Sequence, residues 1–418
     1  MEVTAEKQEN LDLINSRLNL AVFLTPFMHF YLPFVGEVVI LAFQISIISI
    51  LHNMKGEGYQ QKFKPLYFFF IAYIISISVS NILLTKTFGW SPEAIISFFR
   101  YLIMLSNCFF ILSLVSYFNR RSKLPFELLP YSISIAALFI FVDINLNLTG
   151  INYNEGLRII VSSNIRHLGH IVIISSLLVS MKILLGKKLN NPLFFFTSLV
   201  SISLLFWLGG RGAILSYSIS LLLALFLIFK HHHPDIKCVT RLISLIIISL
   251  MVSSPLNIYS WNGLNRLSET QQYKTQDINT LSSNRIKIWH DTFELIKEKP
   301  IFGYGAEGFI LYSGTIFRHP HNFIFQWLLH FGLVGTLLFL SFIIYIFISG
   351  YNCATKEKKL ENIFPIVALS GLLSNALVSG TLYYSPPVFI FCLISSYIIS
   401  KNTQNSDSCN ISHQQIKQ

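Results

Sequence analysis

The chain has 418 residues, of which 53% are hydrophobic and only 12% charged, with a mean hydropathy of +0.57. A soluble globular protein carries roughly 25% charged residues, so this class is excluded. The net charge of +11 would point to nucleic acid in a soluble protein; here its placement along the chain matters more than its total.

Apolar runs of about twenty residues recur from end to end, long enough to cross a hydrocarbon core of ~30 Å. The polar, partly acidic start MEVTAEKQENLDLINSR has no basic segment and no small-residue cleavage site, so the first span is expected to remain as an anchor. Twelve spans are predicted, at 18–34, 36–52, 65–84, 94–118, 124–142, 164–185, 192–208, 211–229, 239–258, 321–349, 362–379 and 383–400. No segment alternates in the manner of a β-barrel strand. The expected fold is an all-α, polytopic transmembrane helical bundle of about 12 spans with one large external loop. The expected organisation is spans 1–9 in 1–258, an external loop at 259–320, spans 10–12 in 321–400 and a disordered cytoplasmic tail at 401–418.

Basic residues set the orientation. One set of connections holds Lys55, Lys62, Lys64, Arg120, Arg121, Lys123, Lys187, Lys188, Lys230, Lys237, Arg241, Lys356, Lys358 and Lys359. The opposite short connections hold little besides Lys86 and Arg158. Both termini are therefore expected in the cytoplasm and the 259–320 loop outside. None of the five cysteines follows a metal-ligand spacing.

Against this depletion of positive charge, several ionisable residues fall at the external ends of spans. Arg100 lies one to two turns into span 4. Arg166, His167 and His170 open span 6, Arg211 opens span 8 and His319 and His321 open span 10. Any one arginine could be snorkelling to headgroups. Together they read as a cationic pocket for an anion, and arginine's planar fork suits phosphate or diphosphate. Arg211 stands in WLGGRGAILS, where glycines allow close approach and a helix start offers free N–H groups. The alternative for those glycines is a short interhelical turn.

Within the long loop, Ile286, Trp289, Phe293 and Ile296 repeat at helical spacing. They predict an amphipathic helix against the membrane, with Ser283 as its cap and Pro300, Gly303 and Gly305 in the turn that ends it. Arg285 at its start is either a further anion contact or a solvated charge. Tyr304, Tyr312 and Trp261 could stack on sugars or simply pack. There is no D-x-D pair, no H-E-x-x-H and no Walker loop, so no motif points to a metal, a nucleotide or another cofactor. His231, His232 and His233 read as a polar cytoplasmic loop.

FRHPHNFIFQWLLHFGLVG begins span 10. With Pro320 at the first helical position, His321 falls in the first turn, where the helix dipole disfavours a protonated imidazole. A neutral imidazole can act as a general base. Capping at headgroup level is the other reading of His319 and His321.

Three blocks, GGRGAILS at 209–216, SNRIKIWHDTFELIKEKPIFGYGAEGF at 283–309 and HPHNFIFQWLLHFGLVG at 319–335, occur in an order that resembles the bacterial O-antigen ligase and O-antigen polymerase superfamily. The resemblance covers the span pattern of the whole chain and, in detail, about 209–350. It implies a glycosyltransferase of the bacterial inner membrane, working at the periplasmic face without metal, nucleotide sugar or other cofactor. The implied donor is a glycan linked to undecaprenyl diphosphate; the acceptor is lipid A–core for a ligase, or a second lipid-linked repeat for a polymerase. Besides these substrates the partners are membrane lipids, and nucleic acid is not among them. The family's arginines fall on Arg211 and Arg285 and its histidine before asparagine on His321, with Asn322 following. Arg100 and Arg166 join the diphosphate site by position alone, with His319, His167 and His170 as secondary candidates. Some relatives carry an acidic residue in span 11, where this chain offers only Asn375 as a polar substitute. The implied reaction is inverting, with His321 as base and the arginines on the leaving diphosphate. The reading leans slightly to a ligase over a polymerase. A flippase for lipid-linked oligosaccharides would show internal repeats or midplane charges, and neither is seen.

Overall fold

The structure, a computed structural model, describes residues 2–28, 35–53, 64–121, 123–153, 159–162, 165–232, 235–259, 261–263, 266, 285–312, 319–356, 359–380 and 382–415. Its helices are α1 (Glu2–Leu24), α2 (Val35–Asn53), α3 (Lys64–Phe88), α4 (Pro92–Phe118), α5 (Leu129–Leu146), α6 (Ile165–Leu184) and α7 (Pro192–Trp207). They continue with α8 (Arg211–His232), α9 (Ile236–Ser253), α10 (Arg285–Glu298), α11 (Gly308–Tyr312), α12 (Phe323–Ala354), α13 (Leu360–Ser379) and α14 (Ser385–Gln415). The fold is all-α and polytopic: among the described residues, nine helices are long and apolar enough to cross a membrane.

Starts and stops follow local chemistry. The Ser91 hydroxyl accepts from the Ala94 N–H with Pro92 at the first turn of α4, and Asn191 does the same for α7 ahead of Pro192. Asp235 caps α9 and Asn322 caps α12. Serines then let the central helices approach closely: Ser175 meets Ser201 at 3.0 Å and Ser180 meets Tyr217 at 2.8 Å. The most buried spans are α6, at 89%, and α13, at 72%, against 28% for α9. The bundle is thus built around α6 and α13, which pack on each other and on α8.

The structure differs from the expected spans at three places. The first, 18–34, is not one helix: α1 ends at Leu24, a 3₁₀ turn follows at Thr25–Phe27 around Pro26, and 29–34 lie outside the described residues. The seventh, α7, is an apolar helix of 16 residues, shorter than a full crossing. At the other end, the backbone of α14 runs on as helix to Gln415 in place of the expected disordered tail. KNTQNSDSCNISHQQ contains neither proline nor glycine to stop it.

One interruption positions the site. Gly332 breaks α12 with φ 62°, ψ −166°, a conformation that a side chain resists. A Cβ there would lie 2.2 Å from the Ile301 carbonyl oxygen. The freed backbone groups of α12 are met by the turn after α10. Tyr304 N–H donates to Leu329 O and Gly305 N–H to His330 O, while Leu333 N–H donates to Pro300 O, each at 2.8 Å. The PIFGYG turn is therefore spliced into the kink, and α10 is anchored across the start of α12.

Candidate active site

α10 meets the bundle through Ile288, Thr292 and Ile296, which are buried, and through Trp289. Ile286 and Phe293, expected on the same stripe, are exposed instead. The apolar surface of α10 is therefore two-sided, with one face on the protein and one exposed. Trp289 donates its indole N–H to the Pro320 carbonyl at 2.8 Å and packs on Phe325. This clamps the HPH segment against α10. The expected cap Ser283 lies outside the described residues.

The HPH segment itself differs from expectation. Asn322, not His319, caps α12, its side chain accepting from the N–H groups of Ile324 and Phe325. His321 thus precedes the helix, in the left-handed region at φ 56°. Pro320 is not at the first helical position, because an asparagine side chain is the better cap. His319 Nδ1 accepts from the His321 backbone N–H at 3.2 Å, and the two rings lie 4.2 Å apart. Both histidines press on Gly380, which ends α13 at φ 65°. A Cβ at Gly380 would lie 3.0 Å from His319 Nδ1 and 3.3 Å from His321 Cα.

A cavity of about 240 Å³ lies among α6, α8, α10 and α13; His321 does not itself line it but lies against Arg166, which does. Arg166 of α6, Arg211 of α8, Arg285 of α10 and Arg266 line it, with Trp289, Asn375 and Ser379. No carboxylate occurs among the described residues of its wall. Arg166 Nη1 lies 3.4 Å from His321 Nδ1. Three of these arginines stand at helix starts, so backbone dipoles add to their positive field. Gly210 and Gly212 also face the cavity; a Cβ at Gly212 would strike Val378 at 2.6 Å, so this glycine also sets the close approach of α8 to α13.

The field shows in the titration of the groups outside the spans. Burial holds the His321 imidazole down at about 3, helped by Arg166 and Arg285, while the Ser379 backbone favours the charged form. His319 is held well below its ordinary range by burial and then by His321. Burial and the neighbouring Arg211 also lower Arg285. The arrangement suits a compact, multiply charged anion and keeps the adjacent imidazole neutral.

The remaining sequence candidates divide. Arg100 does not line this cavity. It is buried, paired with Glu37 and with Glu307 at 2.9 Å, and covered by the Tyr383 and Tyr384 rings at 5.2 and 5.4 Å. Two carboxylates on other elements already satisfy it, which its own sequence neighbourhood does not reveal. His167 packs on Tyr384 at 4.9 Å, and Tyr384 reaches His319 at 5.8 Å, so His167 supports the histidine pair at one remove. His170 is buried with Nδ1 3.3 Å from the Arg166 carbonyl, a contact within its own helix. Of the three aromatics considered for sugar stacking, two are packing residues, and Tyr312 is only half-buried. Tyr304 and Trp261 are buried, Tyr304 against Tyr312 at 4.2 Å and Trp261 against Tyr259 at 5.3 Å.

Sequence reasoning passed over Arg266, Trp289 as a clamp, Ser379 and Gly380. Nothing in the sequence around Arg266 sets it apart from the other polar residues there. Gly380 carried a signal, as a lone glycine just past an apolar helix.

Fold and site together define a multi-pass, all-helical membrane protein with an arginine-lined cavity beside a neutral histidine. Residues 196–340 match the family described as O-antigen ligase. The resemblance of this chain to the O-antigen ligase and polymerase superfamily thus rests on a family match as well as on the three blocks. Arg211, Arg285 and His321 lie within the matched segment, and Arg100 and Arg166 outside it. No curated protein matches the chain.

Proposed function

We propose that the chain is an O-antigen ligase, which transfers a glycan from undecaprenyl diphosphate to a sugar of lipid A–core. The site end of the bundle faces the periplasm and both termini lie in the cytoplasm of an inner-membrane protein. The observation that carries this reading is the cavity: four arginines and no described carboxylate in its wall, with one of those arginines, Arg166, 3.4 Å from His321.

The donor's diphosphate sits among Arg166, Arg211, Arg266 and Arg285. An acceptor hydroxyl attacks the anomeric carbon from the face opposite the diphosphate. The new C–O bond forms as the bond to the diphosphate oxygen breaks, which inverts the anomeric centre. His321 takes the hydroxyl proton, and the electron pair of the broken bond stays on the diphosphate. The arginines stabilise that growing charge, the role a metal ion fills in other glycosyl transfers. The diphosphate also opposes the arginine field and so raises the proton affinity of the His321 imidazole as the donor arrives.

Deleting the gene and resolving the cell's lipopolysaccharide on a gel tests the reading. A ligase loss leaves bare core, with undecaprenyl-linked polymer accumulating. Core bearing a single repeat would instead identify a polymerase, and an unchanged ladder would remove both.

A further inference from the structure

His319 Nδ1 accepts the His321 backbone N–H at 3.2 Å, across Pro320. A side-chain acceptor that takes the N–H two residues on is the hydrogen bond of an Asx turn, which asparagine or aspartate ordinarily closes. Here an imidazole closes it. Pro320 suits the middle of such a turn, because its ring presets φ and it has no N–H of its own to compete. The turn delivers His321 in the left-handed region, at φ 56°, a conformation that a residue with a side chain keeps only where its surroundings hold it. In that conformation Nδ1 of His321 lies 3.4 Å from Arg166 Nη1.

The ring of His319 is itself braced. It meets the His321 ring edge-on at 4.2 Å and the Tyr384 ring edge-on at 5.8 Å. Tyr384 also packs on His167 at 4.9 Å and under the Arg100 guanidinium at 5.4 Å, and Arg100 is tied to Glu37 and Glu307. The ion cluster that stands apart from the arginine cavity thus backs the histidine pair through one tyrosine. Burial holds His319 well below its ordinary range and so keeps it neutral. No lone pair is left on it for a substrate proton: Nδ1 accepts the His321 N–H, and the other nitrogen of a neutral imidazole carries the proton.

We propose that His319 is a positioning residue for His321: its Nδ1 supplies the acceptor that holds the His321 backbone in the left-handed turn, with the His321 imidazole turned to Arg166. This rests on the reading of His321 as the base. The part that His319 plays is the reach and direction of one acceptor atom. Any side chain that places an acceptor at the same distance from its own backbone can do the same, and one that is a methylene longer cannot.

The test compares His319→Asn with His319→Gln in the full chain, in nanodiscs. The two amides are alike in polarity, but only asparagine is short enough to close the turn. Transfer from undecaprenyl-linked donor and binding of inorganic pyrophosphate are measured for each. The expected kcat of His319→Asn is within about tenfold of wild type and that of His319→Gln about 10²-fold lower, the cost of misplacing a reacting group by ~1 Å. Pyrophosphate binding is unchanged in both. Released from its turn, His321 draws away from Arg166 of α6 and Arg285 of α10, which help to hold its titration at about 3. The acid limb of kcat/KM should therefore lie higher in the Gln variant than in wild type. Equal kcat values for the two amides, an acid limb unmoved in the Gln variant, or pyrophosphate binding that falls with turnover would each overturn the assignment. If His319→Gln does not fold, the Asn variant decides alone: turnover near wild type with no imidazole at 319 upholds the assignment, and its loss in a folded protein overturns it. Wild-type transfer by His321→Gln would remove the base reading, and this assignment with it. An inactive His321→Gln beside equal His319 amides would remove the positioning role alone.

Discussion

The Arg166 guanidinium lies 3.4 Å from Nδ1 of His321. An arginine can only donate, so the imidazole nitrogen facing it is the unprotonated one. The structure thus holds the proposed base in its proton-accepting form, with a cation guarding its lone pair. A diphosphate in the cavity competes for that cation.

If His321 is the base, His321→Gln keeps polarity but cannot take a proton near neutral pH. Transfer from purified undecaprenyl-linked donor should fall about 10²- to 10⁴-fold, while donor binding stays close to wild type. Wild-type turnover by this variant would return His321 to a structural role. Loss of donor binding along with turnover would make it a diphosphate ligand.

The acid side of the pH profile follows from the same pair. Free His321 titrates at about 3 rather than at the ordinary 6.5. Between those values an unfolded chain binds a proton there and the folded chain does not, so this group costs stability as pH falls through that window. The acid limb of kcat/KM should therefore lie well below 6.5. Arg166→Gln should move it upward, because the second cause of the low value is removed. An acid limb near 6.5 in wild type, unmoved in the variant, would separate His321 from the rate.

Arg211→Lys retains charge but loses the two-pronged match to phosphate oxygens. Transfer should fall roughly 10²-fold or more, as for loss of a preorganised charge-stabilising donor. Near-normal rates in a correctly inserted protein would favour the snorkelling reading of this arginine.

Arg100 should behave differently. Replacing it with methionine leaves Glu37 and Glu307 buried without their cation, at a cost of about 3–5 kcal/mol. The expected outcome is a lower unfolding temperature in detergent and poor yield. Arg100→Met with wild-type stability and a raised KM for donor would return it to the binding site.

Gly380→Ala forces a side chain into the left-handed region against His319, at about 1–2 kcal/mol. Because the contact is with the histidine pair, kcat should fall further than stability alone explains. Thermal unfolding and turnover measured on the same preparation separate the two effects.

Orientation is testable without activity. A reporter active only outside the cytoplasm should work when fused after residue 270 and fail after residue 122 or 357. The opposite pattern would place the arginine cavity at the cytoplasmic face.

Composition and hydropathy were sufficient for the helical, multi-pass class, because a chain in lipid must satisfy its backbone within each span. The three blocks also carried the family. Arg211 stood out as a charge at an apolar helix start, whereas Arg285 and His321 were picked out chiefly by the resemblance of their blocks. Which charges share a space was not legible. Arg100 and Arg166 look alike in sequence, each a lone arginine near the start of a span. Only packing placed Glu37 of α2 and Glu307 of the loop against the first, and Arg211, Arg266 and Arg285 around the second. Cap geometry was decided at the same level. Asn322 closes the helix where Trp289 holds the Pro320 carbonyl and Gly380 leaves room for both histidines. Sequence determined which residues are expensive to bury, since that is a property of each side chain and its local helix. Tertiary structure decided which of them are satisfied by partners far along the chain and which are gathered around a cavity, since that depends on contacts between distant segments.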